Sequence, residues 1–190
     1  FNGYFMKKYI ILLEILFNRF KYKLLYGKKS KIRNIYTEGN FTLDISKKTF
    51  QEIIIDSANF RKYCAIRIRN NGFLKIGNGV FFNSFCSINC LDNIIIGNNC
   101  VFGENVKIYD HNHKFSSGLI LIREQGYSTS PITVGNNCWI GSNVTILKGA
   151  KIGDNVVIGA GCVINRNIPS NSVVKNSGEL IIEKLKWKDQ

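Results

Sequence analysis

Aliphatic residues recur at every sixth position over much of the chain, and this period determines the predicted fold. In the second half, the regularly spaced aliphatic residues are Val134, Ile140, Ile146, Ile152, Ile158 and Ile164. Neither the 3.6-residue period of a helix nor the two-residue period of an alternating strand accounts for this spacing. A short repeated unit instead indicates a solenoid, in which stacked coils bury one continuous core.

Each six-residue unit has the same internal order of side chains. A bulky aliphatic residue comes first, Gly and Asn follow, and a small residue takes the fifth position, as in 96–101, 134–139 and 158–163. Gly and Asn tolerate the positive φ angles that sharp corners need. Three units then close a triangular coil of about eighteen residues, and successive coils pair their strands in parallel.

The repeat sets the predicted body of the protein at residues 41–172. Its first coils, over 41–73, are degenerate, because Ile54, Phe60 and Ile66 keep the spacing without the glycines. The sequence therefore predicts an all-β, single-stranded parallel β-helix as the main domain.

The two ends of the chain depart from the repeat. The sequence of residues 1–40 predicts a basic amphipathic helix, which ends near Gly27, followed by a linker. Residues 1–5 are interpreted as preceding a natural start at Met6, the only methionine. Residues 173–190 form a charged tail that caps the last coil.

The formal net charge of +13 is concentrated near the N-terminus. Within residues 1–33, only Glu14 opposes nine basic side chains: Lys7, Lys8, Arg19, Lys21, Lys23, Lys28, Lys29, Lys31 and Arg33. The apolar run among them is too short to span a bilayer. We expect the helix either to pack against its own protein or to dock on an anionic membrane surface. No nucleic-acid-binding signature accompanies the charge, so no nucleic-acid partner is predicted.

The chain contains six cysteines, Cys64, Cys86, Cys90, Cys100, Cys138 and Cys162. Three of them, Cys100, Cys138 and Cys162, occupy the small fifth position of a repeat unit. A cysteine there acts as a small buried hydrophobic residue. We expect reduced structural thiols and a cytoplasmic protein.

One long interruption breaks the repeat. Regular spacing ends at Ile108 and resumes at Val134, and the predicted loop spans 109–133. Long excursions from a compact solenoid are usually functional. This one contains both histidines of the chain, His111 and His113.

With these features the sequence resembles the left-handed β-helix acyltransferases, in particular the galactoside, maltose and polysaccharide O-acetyltransferase branch. The resemblance covers about residues 70–172. It is carried by the hexapeptide units, by the Asp-His-Asn-His loop start at 110–113 and by the segment 131–142. It implies a left-handed β-helix, a homotrimer with active sites between subunits, and acetyl-coenzyme A (acetyl-CoA) as co-substrate.

The resemblance also implies roles for individual residues around the loop. His111 is the expected general base, because a neutral imidazole can take a proton from an alcohol near neutral pH. His113 is the fallback base, or else a substrate-binding residue. Asn83 is expected to orient His111 or to hold a sugar hydroxyl, although an ordinary corner asparagine explains it equally. Trp139 is expected to line the acyl or sugar site, or else to contact a neighbouring subunit.

For acetyl-CoA, the resemblance implies a groove lined by later repeats. Backbone N–H groups there would face the thioester and stabilise the oxyanion. Small residues would flank the pantetheine, and polar residues would reach the outer end of the coenzyme. The expected cofactor-binding residues are Gly141, Ser142, Ala160, Gly161, Asn165 and Arg166. Lys175 and Lys184 are weaker candidates. The segment 175–180 departs from the family's usual Gly-x-Pro-Ala ending, which puts contacts from the tail in doubt.

The predicted reaction is direct acetyl transfer from acetyl-CoA to a sugar hydroxyl, with a capsule or O-antigen polysaccharide, or its precursor, as the expected acceptor. The enzyme would be cytoplasmic, or peripheral at the inner face of the cell membrane. Alternatives are N-acetylation of an amino-sugar nucleotide, acetylation of a small alcohol such as serine, and a non-catalytic β-helix scaffold. A β-helical carbonic anhydrase needs three zinc-bound histidines, and this chain has two. No metal site is expected.

Overall fold

The computed structural model describes residues 10, 12–18, 20–22, 25, 30–46 and 52–176. The predictions for residues 1–5, Met6, Gly27 and Lys184 lie outside the described residues. Helical conformation is found at the described residues between 10 and 25. The strands that follow in the described part are β1 (Ser30–Thr37), β2 (Thr42–Ile45), β3 (Glu52–Phe60), β4 (Ala65–Ile68), β5 (Phe73–Ile76), β6 (Val80–Phe82), β7 (Ser87–Cys90), β8 (Asn93–Ile96), β9 (Val101–Phe102), β10 (Lys107–Tyr109), β11 (His111–His113), β12 (Tyr127–Thr129), β13 (Ile132–Val134), β14 (Trp139–Ile140), β15 (Thr145–Leu147), β16 (Lys151–Ile152), β17 (Val157–Ile158), β18 (Val163–Ile164) and β19 (Val173–Val174).

These strands wind around three faces. Face I holds β5, β8, β13 and β16, face II holds β6, β9, β14, β17 and β19, and face III holds β2, β4, β7, β10, β15 and β18. Strand β3 turns a corner, since its first residues pair with β5 and its last with β6. Pairing between successive coils is parallel on every face. The predicted parallel β-helix is confirmed, and its left hand stays a prediction of the resemblance.

Parallel register places like side chains directly above one another inside the coil. Phe60, Phe82 and Phe102 form one such column. Their ring centroids are 4.7 and 4.4 Å apart, and the ring planes are nearly parallel. All three are buried. The other inward positions carry mainly Ile and Val, whose branched side chains suit strands buried on one side. One continuous hydrophobic core results.

The corners explain the Gly and Asn positions of the repeat. Asn99, Asn137 and Asn155 have φ near +55°, in the left-handed region that asparagine tolerates. Their amides also bond from coil to coil, as when Asn137 Nδ2 donates to Asn155 Oδ1 at 2.9 Å. Each corner asparagine therefore relieves the strain of its own turn and links it to the next.

All six cysteines are buried free thiols, as predicted. Cys64 and Cys86 lie in the same corner position as the cysteines of the regular repeats. Burial raises the pKa of the Cys90 thiol, and the nearby Asp110 carboxylate raises it further. These thiols are therefore packing residues.

The predicted domain boundaries need correction. Strand β1 pairs with β3 along its whole length, so the β-helix begins at Ser30 and not at residue 41. The expected linker is thus partly a first coil. The Gly39-Asn40 corner that follows β1, with φ of +64° and +49°, was the available signal in the sequence. At the other end, β19 pairs with β17 and extends the coil to Val174, beyond the predicted limit of 172.

The N-terminal helix touches the β-helix through few of its side chains. Tyr22 and Asn18 are buried, and Asn18 Nδ2 donates to Thr37 Oγ1 at 3.4 Å. Among its described residues, seven large apolar side chains are more than half exposed: Ile10, Leu12, Leu13, Leu16, Phe17, Phe20 and Leu25. Among the described residues, no helix has the length and apolar character needed to cross a membrane.

The phenylalanine column yields a stability prediction. Phe82→Ala should lower the free energy of unfolding by about 3–5 kcal/mol, because it empties the middle of a fully packed column. Urea unfolding followed by circular dichroism measures this change. Leu119→Ala is the control, since Leu119 is 91% exposed and should change stability by less than about 0.5 kcal/mol. A wild-type midpoint for Phe82→Ala would contradict the prediction.

Candidate active site

The predicted loop leaves the β-helix between β10 and β13. Its two arms form an antiparallel hairpin, in which β11 pairs with β12. At the base of the hairpin, the Ser130 N–H donates to the Asp110 carbonyl at 2.9 Å. Lys148 Nζ donates to Ser128 Oγ at 3.0 Å and ties the returning arm to the next coil. The loop base is therefore held rigidly on the solenoid.

Asp110 is the buried anchor of this base. Its side chain is fully buried, and its carboxylate accepts the backbone N–H groups of Leu91 and Asp92, at 2.7 to 3.0 Å. Its Oδ1 also lies 3.0 Å from Nδ1 of His111. A carboxylate engaged in this way can only accept, so Nδ1 carries the proton. Nε2 of His111 is then left with a lone pair that can take up a proton.

Aromatic rings hold the His111 imidazole in place. Tyr127 meets it edge-on, with centroids 5.3 Å apart, and Tyr109 does so at 6.1 Å. The His111 side chain is 16% exposed. His113 is exposed, lies against the Tyr127 ring at 4.5 Å, and has no carboxylate partner in the described part of the chain. Of the two histidines, only His111 has the arrangement of an oriented base.

His111 lines two clefts. The first has a volume of about 390 Å³, and we name it the arginine cleft. Besides His111, it is lined by Arg67, Arg69, Asn70, Asn89, Leu91 and Tyr127. The second has a volume of about 490 Å³, and we name it the Leu147 cleft. Besides His111, it is lined by Tyr109, Asn112, His113, Phe115 and Leu147. One residue therefore contributes to the walls of both clefts.

The tip of the loop is ordered by a single side chain. Gln125 Oε1 accepts the N–H groups of Ser116 and Ser117, and Nε2 donates to the carbonyls of Ser117 and Ile120. Apolar side chains nevertheless point outward there, among them Leu119, Ile120, Leu121 and Ile122. The tip is thus a rigid apolar projection.

The corner between faces II and III carries a second polar cluster. Glu104 accepts a hydrogen bond from Asn83 Nδ2 and another from Ser142 Oγ, the latter at 2.7 Å. The Ser142 bond lowers the pKa of Glu104, and the Asn83 bond adds to that effect. Asn83 therefore does not orient His111 within the chain, contrary to one expectation. That role belongs to Asp110.

The backbone donors predicted for an oxyanion are not equivalent. The Gly141 N–H donates to the Ile158 carbonyl at 2.7 Å, so it is already used in coil stacking. This N–H is therefore engaged within the chain, and cofactor binding by Gly141 stays a prediction. The Ser142 N–H makes no hydrogen bond within the described residues, and it remains a possible oxyanion donor. Gly161, with φ of +73°, donates to the Ser142 carbonyl at 2.9 Å.

The remaining predicted residues divide between two edges of face III. Ala160 and Gly161 share the corner of Ser142, while Asn165 and Arg166 follow β18 on the edge that carries His111. Within one coil, the strand of face III runs between these edges, as β10 does between the Glu104 corner and Asp110. The chain therefore does not bring its two halves of the predicted site together.

Two other predicted residues are exposed. Trp139 projects from face II, 59% exposed, between Val101 and Val157 of the neighbouring coils. Lys175 follows β19 and is also exposed. Neither makes a contact with His111 in the described structure.

Sequence reasoning missed Asp110, Arg67 and Arg69. Asp110 is the first residue of the Asp-His-Asn-His loop start at 110–113. Its position next to His111 was the signal in the sequence that could have identified it. The arginines lie two coils earlier, and nothing local marks them. Among the described residues, no group of three or more His, Cys, Asp or Glu side chains could hold a metal ion.

Comparison with known sequences identifies relatives of this solenoid. Residues 131–166 match the family model described as bacterial transferase hexapeptide (six repeats). A putative lipopolysaccharide biosynthesis O-acetyl transferase, WbbJ, of Escherichia coli K12 is 30% identical over 135 residues, which are 66% of this chain and 69% of WbbJ. The galactoside O-acetyltransferase of E. coli K12 is 36% identical over 98 residues, 51% of this chain and only 47% of that enzyme.

Solved structures show the same fold. A maltose O-acetyltransferase from Clostridium difficile 630 superposes with a TM-score of 0.50 at 23% identity, covering 93% of this chain and 89% of that one. A mutant of AntD, an N-acyltransferase from Bacillus cereus solved with dTDP and coenzyme A, gives a TM-score of 0.65 at 14% identity, with coverage of 90% and 89%. At these identities the likeness concerns the fold alone.

The buried carboxylate yields a prediction about His111. Asp110→Asn should lower the free energy of unfolding by about 1–3 kcal/mol, because a charge-assisted acceptor of backbone N–H groups is lost. The introduced amide would also turn its NH₂ toward Nδ1 and move the imidazole proton to Nε2. Urea unfolding and two-dimensional ¹H–¹⁵N spectra of the imidazole measure these two effects. Asp92→Asn is the matched control, and an unchanged tautomer in Asp110→Asn would contradict the assignment.

Proposed function

The chain belongs to the hexapeptide-repeat acetyltransferases, and from that premise we propose that it transfers acetyl from acetyl-CoA to a sugar hydroxyl. The observation that carries the proposal is the Asp110–His111 pair, in which Asp110 binds Nδ1 and His111 lines two clefts. The name of WbbJ supports a cell-surface polysaccharide, such as an O-antigen or capsule, or its precursor, as the acceptor.

In the proposed reaction, His111 acts as the general base. Its Nε2 accepts the proton of the acceptor hydroxyl as the oxygen attacks the thioester carbonyl. Asp110 stabilises the imidazolium that forms, through the Nδ1 hydrogen bond. The carbon–sulfur bond then breaks, and His111 returns the proton to the leaving thiolate of coenzyme A. No covalent enzyme intermediate is needed.

We propose that the oxyanion is stabilised from a second copy of the chain. The Ser142 N–H, which lacks a partner in the described residues, is suited to donate to it. Since Ser142 and His111 lie on opposite edges of face III, a site needs the Ser142 edge of one copy against the His111 edge of another. A homotrimer supplies three such junctions. Asn83 and Trp139 would approach the site from the Ser142 side.

The same junction would hold the co-substrate. Ala160 and Gly161 are small enough for the pantetheine arm to pass close to the backbone. Asn165 and Arg166 lie farther along the coil, and the Arg166 guanidinium suits a phosphate of coenzyme A. The apolar loop tip would then cover part of the neighbouring copy.

His111→Ala should lower kcat by about 10²- to 10⁴-fold, the usual contribution of a general base. Initial rates of coenzyme A release, measured with a panel of sugar acceptors, test this. His113→Ala is the matched control and should change kcat by less than about tenfold. The opposite ranking would make His113 the base. Turnover only with amino sugars, and with no hydroxyl acceptor, would favour the N-acetyltransferase alternative.

We also propose that the enzyme is cytoplasmic and that its N-terminal helix binds the inner face of the membrane. The apolar side chains of the helix are exposed in the chain, and the surrounding sequence is strongly basic. A helix of this kind lies in the interface of an anionic bilayer. This position would keep the active site near glycans that are assembled on lipid carriers.

The double variant Phe17→Ser/Phe20→Ser should weaken binding to phosphatidylserine-containing vesicles more than tenfold, because two large apolar side chains no longer enter the bilayer. Vesicle sedimentation measures binding, with pure phosphatidylcholine vesicles as the uncharged comparison. Light scattering should give the same oligomeric mass for the variant and the wild type. If the variant dissociates instead, the helix packs within the trimer.

A further inference from the structure

We infer that the acceptor sugar carries an anionic group, a carboxylate or a phosphate, and that Arg67 binds this group beside His111. The inference rests on the proposed acetyl transfer and names the class of acceptor. It follows from the charges, the bonding and the position of the arginine cleft.

Arg67 lies in a column of outward side chains on face III. Parallel register places it between Asp44 of the preceding coil and Asn89 of the following one. The next member of the column is Tyr109, two residues before His111. Arg67 and His111 line the same cleft. A ligand held by the guanidinium therefore extends toward the imidazole.

The second arginine of the cleft is already engaged. Arg69 donates to the Asp44 carbonyl and to the Ile68 carbonyl, both at 3.1 Å, and it also pairs with the Asp44 carboxylate. These bonds fix Arg69 as a wall of the cleft. The hydrogen bond from Arg69 is also the main reason why the pKa of Asp44 is lowered.

Arg67 keeps its hydrogen-bonding capacity. It makes no side-chain hydrogen bond or salt bridge within the described residues. Its positive charge lowers the pKa of Asp44 through the coulombic interaction alone. Its side chain is exposed to the cleft. A guanidinium with five donors matches the two oxygens of a carboxylate or phosphate.

Among the described residues, the charged groups around the cleft leave one guanidinium, that of Arg67, without a paired carboxylate. Arg69 is paired with Asp44. The other nearby carboxylate, Asp110, is fully buried and is bound by two backbone N–H groups and by His111. An anionic group on the ligand would therefore pair with Arg67. Asn89 also lines the cleft, and its amide suits a neutral hydroxyl of the sugar.

The position of the cleft assigns it to the acceptor. Its walls come from earlier coils, at Arg67, Arg69 and Asn89, whereas the walls of the Leu147 cleft include Leu147 of a later coil. The walls of the Leu147 cleft include Tyr109, Phe115 and Leu147, which suit an acetyl thioester better than a charged sugar. About 390 Å³ in the arginine cleft is enough for one sugar residue.

The test compares ligands that differ only in charge. Methyl glucuronide, methyl glucoside and glucose 1-phosphate are titrated into the full-length protein by calorimetry, and each is then assayed as an acceptor with acetyl-CoA. We expect one of the charged sugars to bind at least tenfold more tightly than methyl glucoside. Tighter binding of methyl glucuronide would identify the anionic group as a carboxylate. Tighter binding of glucose 1-phosphate would identify it as a phosphate.

Arg67→Gln should weaken the preferred charged sugar about 10- to 100-fold, the effect of a lost charge-assisted hydrogen bond, while methyl glucoside changes less than twofold. Arg67→Lys should restore part of the preference. Arg33→Gln is the matched control, because Arg33 lies on β1, is exposed and is outside the cleft.

The outcomes separate this inference from the proposed function. Equal binding of charged and neutral sugars, or an equal loss of both in Arg67→Gln, overturns the anion site even if acetyl transfer proceeds. His111→Ala should still bind the charged sugar but not acetylate it. If His111→Ala retains turnover while Arg67→Gln still loses the charged sugar, the base assignment fails and the anion site stands.

Discussion

Parallel register between coils is the constraint on which the rest of this structure depends. When every coil has the same length, each side chain lies directly over its counterpart, so a column must be built from residues that stack well. The phenylalanine column and the corner asparagines meet this demand. Glycine meets it where backbones approach closely, since a Cβ on Gly135 would come within 2.6 Å of the Gly153 backbone. The six-residue period of the sequence follows from this constraint.

The same constraint determines where chemistry can be placed. An insertion within a face would shift every later residue out of its column, but an insertion at a corner leaves the register intact. Strand β13 indeed pairs with β8 as though the loop were absent. The loop therefore adds His111 to a scaffold that remains unchanged.

Asp110 marks the junction between scaffold and loop. It follows Ile68 and Cys90 in an inward column, so a carboxylate replaces an apolar side chain there. Burial of an unpaired charge would be strongly destabilising. The backbone N–H groups of the preceding corner and the imidazole offset that cost, and they orient His111 at the same time. Structural and proposed catalytic requirements therefore coincide in one residue.

The amino-acid sequence by itself determined the solenoid and the position of the loop that carries both histidines, because a six-residue period and its interruption are visible locally. Only the tertiary structure decided which groups meet across coils. It showed that Asp110 orients His111, that the Gly141 N–H is already bonded, and that Arg67 lies near His111 from two coils away. It also placed the start of the first coil at Ser30, ahead of the predicted boundary. Such contacts depend on stacking between distant residues, and no local pattern in the sequence records them.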